Sequence, residues 1–277
     1  MHVRGIDMTS APKPAKPITI SECTLDDGVL TVIECRRVGT KEAFVAELRR
    51  QGPWIAGIDF PFGQARTFLE NTGNADSWPA YVERFGALER SAWVALLDDY
   101  KRVRPAGDKQ HKRKIDRLAG GASPQTHSYT PVGLMFHFAA PLLLEAEVLI
   151  PGLQENGDPE RLVIEAYPGV LVRDAIGRLS YKHDTPKKQS EAHIGVRECI
   201  VDYLGSEDFI ETFGFAINPQ EHAKAAIEDP SGDTLDGMLC AVQAAWSWRK
   251  RDERFGYPED FDRLEGWIPQ PTLVAGP

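Results

Sequence analysis

Cysteine is scarce in this chain, and none of its four residues (Cys23, Cys35, Cys199 and Cys240) stands in a CxxC pair or another zinc-ligand spacing. That excludes a sequence-local zinc centre. A hairpin would bring Cys23 and Cys35 near each other, but without an export signal the expectation is buried free thiols. The opening MHVRGID lacks the charged start, apolar core and small-residue cleavage site of a signal peptide, so a cytoplasmic location is expected. Long apolar runs are missing too. The best candidate, GLMFHFAAPLLLEAEVLI at 133–150, is interrupted by His137, Pro141, Glu145 and Glu147, which argues against a membrane span or a membrane partner.

Positive charge is in deficit: 32 Lys and Arg stand against 41 Asp and Glu, a formal net charge of −9. Bulk attraction to nucleic acid or to an anionic membrane is therefore not expected. One basic run, KRVRPAGDKQHKRKIDR at 101–117, is a candidate phosphate-tracking face, although a charge run alone reads first as solvated surface. The motifs GxSxG, HExxH, GxGxxG and GxxxxGK(S/T) do not occur, which removes the nucleophile elbow, the zincin helix, the dinucleotide fingerprint and the P-loop. Seven histidines are scattered without metal spacing, and no repeat or low-complexity linker divides the 277 residues. A single domain over 1–277 is expected, long enough for a sizeable core.

What is present is an ordered alternation. VRGID reads as a first strand, and PITISECTL and VLTVIECRRV flank Asp26-Asp27-Gly28, a hairpin-turn signal. KEAFVAELRRQG reads as an amphipathic helix over 40–51, and WIAGID as a fourth strand. Residues 64–160 are richer in Trp, Tyr and charge and read as a helical insertion, with helices near 77–103, 108–118 and 133–147. RLVIEAYPG returns to a strand, and helical patterns follow over 186–205, 218–229 and 232–251 before an extended EGWIPQP tail.

Two of the apolar strands end in Gly-Ile-Asp. A hairpin followed by a right-handed crossover lets WIAGID lie parallel to VRGID, which sets Asp7 beside Asp59 at the carboxyl edge of the sheet. Each aspartate alone has a plain turn-forming explanation. Paired, they repel unless a cation lies between them, and they are the hard-oxygen donors that Mg²⁺ or Mn²⁺ takes. Glu165, near the end of RLVIEAYP, is a candidate for the same edge. Asp233 and Asp236 share a face at the start of the last long helix, although acids in a helix's first turn also favour its dipole, and Asp233 follows Gly232 in an N-cap-like place.

In this order, GIDMTSAP, IDFPFG, IEAYPG, DTLDGMLCAVQAA and EGWIPQP resemble the domain-of-unknown-function 429 family, whose members are predicted ribonuclease H-like nucleases. The resemblance covers nearly the whole chain. It implies an α/β ribonuclease H-like fold: a mixed five-stranded sheet, the first three strands antiparallel, flanked by helices and carrying the helical insertion. It implies catalytic carboxylates at Asp7, Asp59, Glu165 and Asp236, with Asp233 completing the metal ligands. Two divalent ions would stand roughly 3.5–4 Å apart between these carboxylates and cleave a phosphodiester bond. Thr9, Ser10, Lys182 and Arg113 are candidate substrate contacts, with an exposed lysine the plain alternative for Lys182. The substrate would be nucleic acid or a small phosphoester. A non-catalytic nucleic-acid or small-phosphate binding module on the same fold is one alternative. An actin-like ATP-dependent phosphotransferase, whose phosphate strand also begins with Asp and hydroxyl residues, is the other.

Overall fold

β-branched and apolar residues at alternate positions build a sheet whose strands are β1 (His2–Asp7), β2 (Ile18–Asp26), β3 (Val29–Val38), β4 (Trp54–Asp59), β5 (Val148–Leu149), β6 (Asp158–Ala166) and β7 (Ala216–Asn218). The computed structural model describes residues 1–183 and 186–274; residues 184, 185 and 275–277 of the single domain expected over 1–277 lie outside the described residues. The strand order is β5-β6-β4-β1-β2-β3-β7. β1, β2 and β3 are antiparallel, and every other pairing is parallel. Between β2 and β3, Asp27 and Gly28 both have positive φ, as a two-residue hairpin turn requires.

The sheet therefore has seven strands among the described residues, not the five expected. The five read from the sequence form the contiguous block β6-β4-β1-β2-β3. The two additional strands cap the edges and are two and three residues long, too short to carry an alternation that sequence periodicity can detect. The two-residue turn sets Cys23 opposite Val32, and Cys35, after the bulge at Glu22/Cys23, pairs in register with Ser21, so the two thiols are not direct partners across the hairpin. Cys23 and Cys240 are buried free thiols as expected; Cys35 is half-buried and Cys199 exposed.

The helices are α1 (Lys41–Leu48), α2 (Arg66–Asn71), α3 (Trp78–Gly86), α4 (Arg90–Arg102), α5 (Lys114–Ala119), α6 (Val132–Glu145), α7 (Pro168–Ile176), α8 (Glu191–Leu204), α9 (Glu207–Phe213), α10 (His222–Glu228), α11 (Asp233–Arg249) and α12 (Pro271–Val274). The helix expected over 77–103 is two, α3 beginning at the Ser77 cap and α4 following the break at 87–89. The helix expected over 108–118 is only α5, which starts where Asp116 accepts a hydrogen bond from the Arg113 backbone.

The sheet divides the core in two. On one face Ile6, Ile18, Ile20 and Ile58 pack against Phe44, Phe68, Trp78, Trp93 and Phe136 from α1, α2, α3, α4 and α6. Most of the insertion thus packs onto the sheet itself. On the other face Val3, Ile55 and Ile164 pack against α11, whose residues from Thr234 to Ser247 are all buried. A helix apolar on every side belongs in the middle of a core.

α11 lies so close to the sheet because the strands beneath it carry no side chain at two points. A Cβ on Gly5 would overlap the carbonyl of Gly237 and the backbone of Ala241, and one on Gly57 would overlap the carbonyl of Cys240. Neither neighbour is a flexible side-chain end, so backbone would have to move. Gly5→Ala is expected to lower stability by more than about 2 kcal/mol in urea denaturation; a loss below about 0.5 kcal/mol, the size of a neutral surface change, would contradict this packing.

Candidate functional site: a carboxylate cluster at the sheet edge

Alternation along a strand puts residues i and i+2 on one face. Asp7 and Asp59 therefore project on the same side as Gly5 and Gly57, toward α11. They are direct register partners in the parallel β1–β4 pair, the adjacency expected from the repeated Gly-Ile-Asp. The first turn of α11 then adds Asp233 and Asp236, and Asp236 is 1 % exposed. All four aspartates line one cleft of about 520 Å³.

The start of α11 is built to free these acids. Its N-cap is Gly232 in the left-handed region, so Asp233 is the first helical residue and not the cap. Asp229 takes over the capping: its Oδ2 accepts hydrogen bonds from Thr234 N (3.0 Å) and Oγ1 (2.7 Å), and its Oδ1 from Ser231 N (3.0 Å) and Oγ (2.6 Å). Burial disfavours the Asp229 carboxylate, but these bonds outweigh it and hold its pKa below the ordinary value.

Charge at the cluster is incompletely balanced. Asp236 accepts a 2.5 Å hydrogen bond from the Tyr181 hydroxyl, and its other oxygen pairs with the Lys182 ammonium. Lys182 is thus not the exposed lysine of the plain reading: its side chain is 34 % exposed and its ammonium is in the cluster. Burial disfavours that ammonium, but Asp236, then Asp7 and Asp59, hold its pKa above the ordinary lysine value. One ammonium does not neutralise four aspartates. Burial, and then repulsion from Asp236, pushes Asp7 well above the usual carboxylate range and Asp59 up to about 7. Burial likewise raises Asp233. Arg197 fixes the Tyr181–Lys182 loop, donating to the Tyr181 carbonyl (2.7 Å) and the Ile227 carbonyl (2.6 Å). Neither Tyr181 nor Arg197 was legible as a site residue, because a loop residue and its anchor leave no periodic signal.

Thr9 and Ser10 line the same cleft. Thr9 is buried, and the Ser10 carbonyl accepts a 2.8 Å hydrogen bond from Arg90.

Glu165 and Arg113 are elsewhere. Glu165 pairs in register with Ile58, one residue short of Asp59, so its side chain leaves the opposite face of the sheet. There it accepts from Arg113 Nη1 (2.7 Å) and Nη2 (2.6 Å) and from Phe62 N (2.9 Å). Arg113 also donates to Asp116 (2.7 Å) and to the Glu265 carbonyl (2.9 Å), and is 1 % exposed. Its guanidinium is surrounded by carboxylates within the fold and is not presented to a substrate. A cavity of about 50 Å³ is lined by Asp59 and by Arg113, Asp116 and Glu165, so the two acidic groups stand back to back.

The donors suit a hard divalent cation in kind: carboxylate oxygens, in formal surplus over the one ammonium among them. The buried hydroxyl of Thr19, register partner of Asp7, also has no hydrogen-bond partner among the described residues. No group of three or more His, Cys, Asp or Glu among the described residues is gathered closely enough to hold a metal ion as it stands. Binding would require the carboxylates to draw together, and Lys182, paired with Asp236, competes for one of them. Comparisons of the chain with protein-family models, curated proteins and solved structures give no match.

The raised Asp59 carboxyl sets a sign for pH dependence. Its pKa is about 7 in the fold against an ordinary 3.8, so the unfolded chain gives up that proton first. Stability is then lost as pH rises from about 4 to about 7 and is flat above. Asp59→Asn removes this loss. In chelating buffer the variant is expected to exceed wild type by at least about 1 kcal/mol near pH 8, with the gap closing near pH 4. A variant no more stable than wild type near pH 8 in urea titrations would contradict the assignment.

Proposed function

We propose that the chain is a metal-dependent phosphodiesterase of ribonuclease H-like type, acting on nucleic acid or a small phosphoester with Mg²⁺ or Mn²⁺ as cofactor. One observation carries this reading: Asp7 and Asp59 stand side by side at the carboxyl edge of parallel strands, and α11 lays Asp236 against the same face. Paired carboxylates at that edge, short of compensating charge, are suited to a divalent cation and a phosphate. The antiparallel β1–β3 followed by parallel β4 and β6 support the resemblance carried by the sequence motifs.

Asp7, Asp59 and Asp236 would hold the cation, with Asp233 at the margin. Bound there, it would supply Lewis-acid chemistry, acidifying the attacking water and offsetting charge on the phosphate. The chain's own residues do the rest. The sheet register holds Asp7 and Asp59 side by side, which limits the reorganisation their carboxylates need during the reaction. Tyr181 keeps Asp236 oriented through its hydroxyl. Lys182, released from Asp236, is near enough to place positive charge on a phosphoryl oxygen as negative charge builds. Thr9 and Ser10 offer hydroxyl groups from the loop that follows Asp7. Glu165 and Arg113 act from the other face, where the hydrogen bond from Phe62 N to Glu165 tethers the turn after Asp59.

The test is hydrolysis of bis(p-nitrophenyl) phosphate and of labelled RNA and DNA oligonucleotides, with and without Mn²⁺. Wild type is expected to cleave at least one of them only with metal, and Asp7→Asn to lose at least about 100-fold in rate while remaining folded, a loss of about 2.7 kcal/mol in barrier terms. No metal-dependent cleavage by wild type would overturn the proposal in favour of a non-catalytic binding module, and an active Asp7→Asn protein would overturn the assignment of the reaction to this carboxylate cluster.

A further inference from the structure

The lip of the carboxylate cleft carries a feature that folding does not account for. Tyr129 is 100 % exposed. Its backbone is in the left-handed region, with φ of 62°, which is unfavourable for a bulky side chain. The segment around it is nonetheless well anchored. Thr130 N donates to Ser128 O (2.7 Å), Val132 N to Thr130 O (2.8 Å) and Gly133 N to Thr126 O (2.8 Å), and the buried Trp93 indole donates to Gly133 O (2.9 Å). A loop tied together at Thr126 and Gly133 thus holds a large aromatic ring entirely in water, at a cost in backbone energy that no contact of the ring offsets. Other exposed large apolar residues exist, among them Ile33, Val103 and Leu179, but of these only Tyr129 borders the cleft that holds the four aspartates.

The rest of the cleft fits the same ligand. Exposed Lys16 stands on its rim, and Lys182 stands beside the acids. Met8, Pro131 and Met135 supply apolar lining. A volume of about 520 Å³ lies in the range of small-ligand sites. A flat ring at the mouth, phosphate-directed chemistry at the floor and cations between match a nucleotide whose base is free to stack. Base–aromatic stacking is tolerant of sequence and needs a base that is not held in a helix.

We infer that Tyr129 is a stacking platform for an unpaired nucleobase, so that the substrate of the carboxylate site is single-stranded nucleic acid or a short oligonucleotide. The inference rests on the phosphodiesterase reading for the role of the floor, but stacking is measured without cleavage.

The experiment titrates a 2-aminopurine-containing tetranucleotide into the wild-type protein in Ca²⁺ buffer, which supplies a divalent cation without the Mg²⁺ or Mn²⁺ of cleavage, following quenching of the base fluorescence. Tyr129→Ala and Tyr129→Trp are compared in the same background. Binding with quenching is expected, weakened roughly 5- to 150-fold by Tyr129→Ala, the equivalent of losing one stacked base, and restored by Tyr129→Trp. A stable hairpin duplex whose stem carries the same four bases should bind more weakly than the single strand. Because the ring is fully exposed, the urea midpoint of Tyr129→Ala should match its parent, so lost binding is not lost folding. Equal affinity in the alanine variant, equal affinity for duplex, or no binding of the tetranucleotide would each overturn the inference. Failure of the hydrolysis assay with wild type would instead count against the phosphodiesterase reading.

Discussion

The backbone of α11 lies directly on the backbone of β1 and β4, and the site is a consequence of that contact. Gly5 and Gly57 remove the side chains that would hold the helix away. The pleat then sets which residues meet the helix at the strand ends. Two residues beyond each glycine the same face is presented again, now by Asp7 and Asp59. The helix that the glycines admit begins at this edge, so Asp233 and Asp236 arrive at the two strand ends, with Asp229 taking the capping role in their place. Burial of apolar surface over the whole of α11 drives the contact, and the same apolar surroundings make the acids at its edge expensive to ionise.

The fold meets buried acid in two ways, on opposite faces of one sheet. Glu165 and Asp116 are answered by Arg113, which forks between them, and by a backbone N–H. That group is saturated, and removing one partner of such a buried pair typically costs about 3–5 kcal/mol. Among the described residues, Lys182 and Tyr181 both serve Asp236, and Asp233 has the Ser231 hydroxyl. Asp7 and Asp59 are left to repulsion and burial, and their pKa values rise. A saturated cluster stabilises structure; an unsaturated one retains affinity for a cation. Burial raises the Glu165 carboxyl as well, so it is the supply of partners, not a raised pKa, that separates the structural acids from the candidate functional ones.

Much of this was legible in the sequence. The repeated Gly-Ile-Asp gave the adjacency of Asp7 and Asp59, because a crossover fixes parallel neighbours and a shared strand end fixes register. The long apolar helix with two acids in its first turn was equally plain. Glu165 was misplaced by one residue of register: IEA and GID look equivalent as strand ends, but Glu165 pairs with Ile58, and one step in a strand changes the face. Arg113 was read as a substrate contact because it belongs to a basic run, of which Arg102, Lys109, Lys112, Lys114 and Arg117 are exposed while Arg113 is buried. A possible signal was its spacing from Asp116, the i, i+3 separation of a helix-start ion pair. Tyr181 and Arg197 left no trace, since their roles depend on a loop folding back over α11. The glycines two residues before each aspartate carried information that periodicity does not use, for they marked where another backbone passes.

The central claim is that the four aspartates form a divalent-cation site restrained by Lys182. Isothermal calorimetry with Mn²⁺ at low salt, on wild type, on Lys182→Met and on the Asp7→Asn, Asp59→Asn double variant, tests it most directly. The account predicts binding by wild type, at least about 5-fold tighter binding by Lys182→Met because an opposing cation has been removed, and none by the double variant. Binding that survives in the double variant, or that weakens in Lys182→Met, would contradict it.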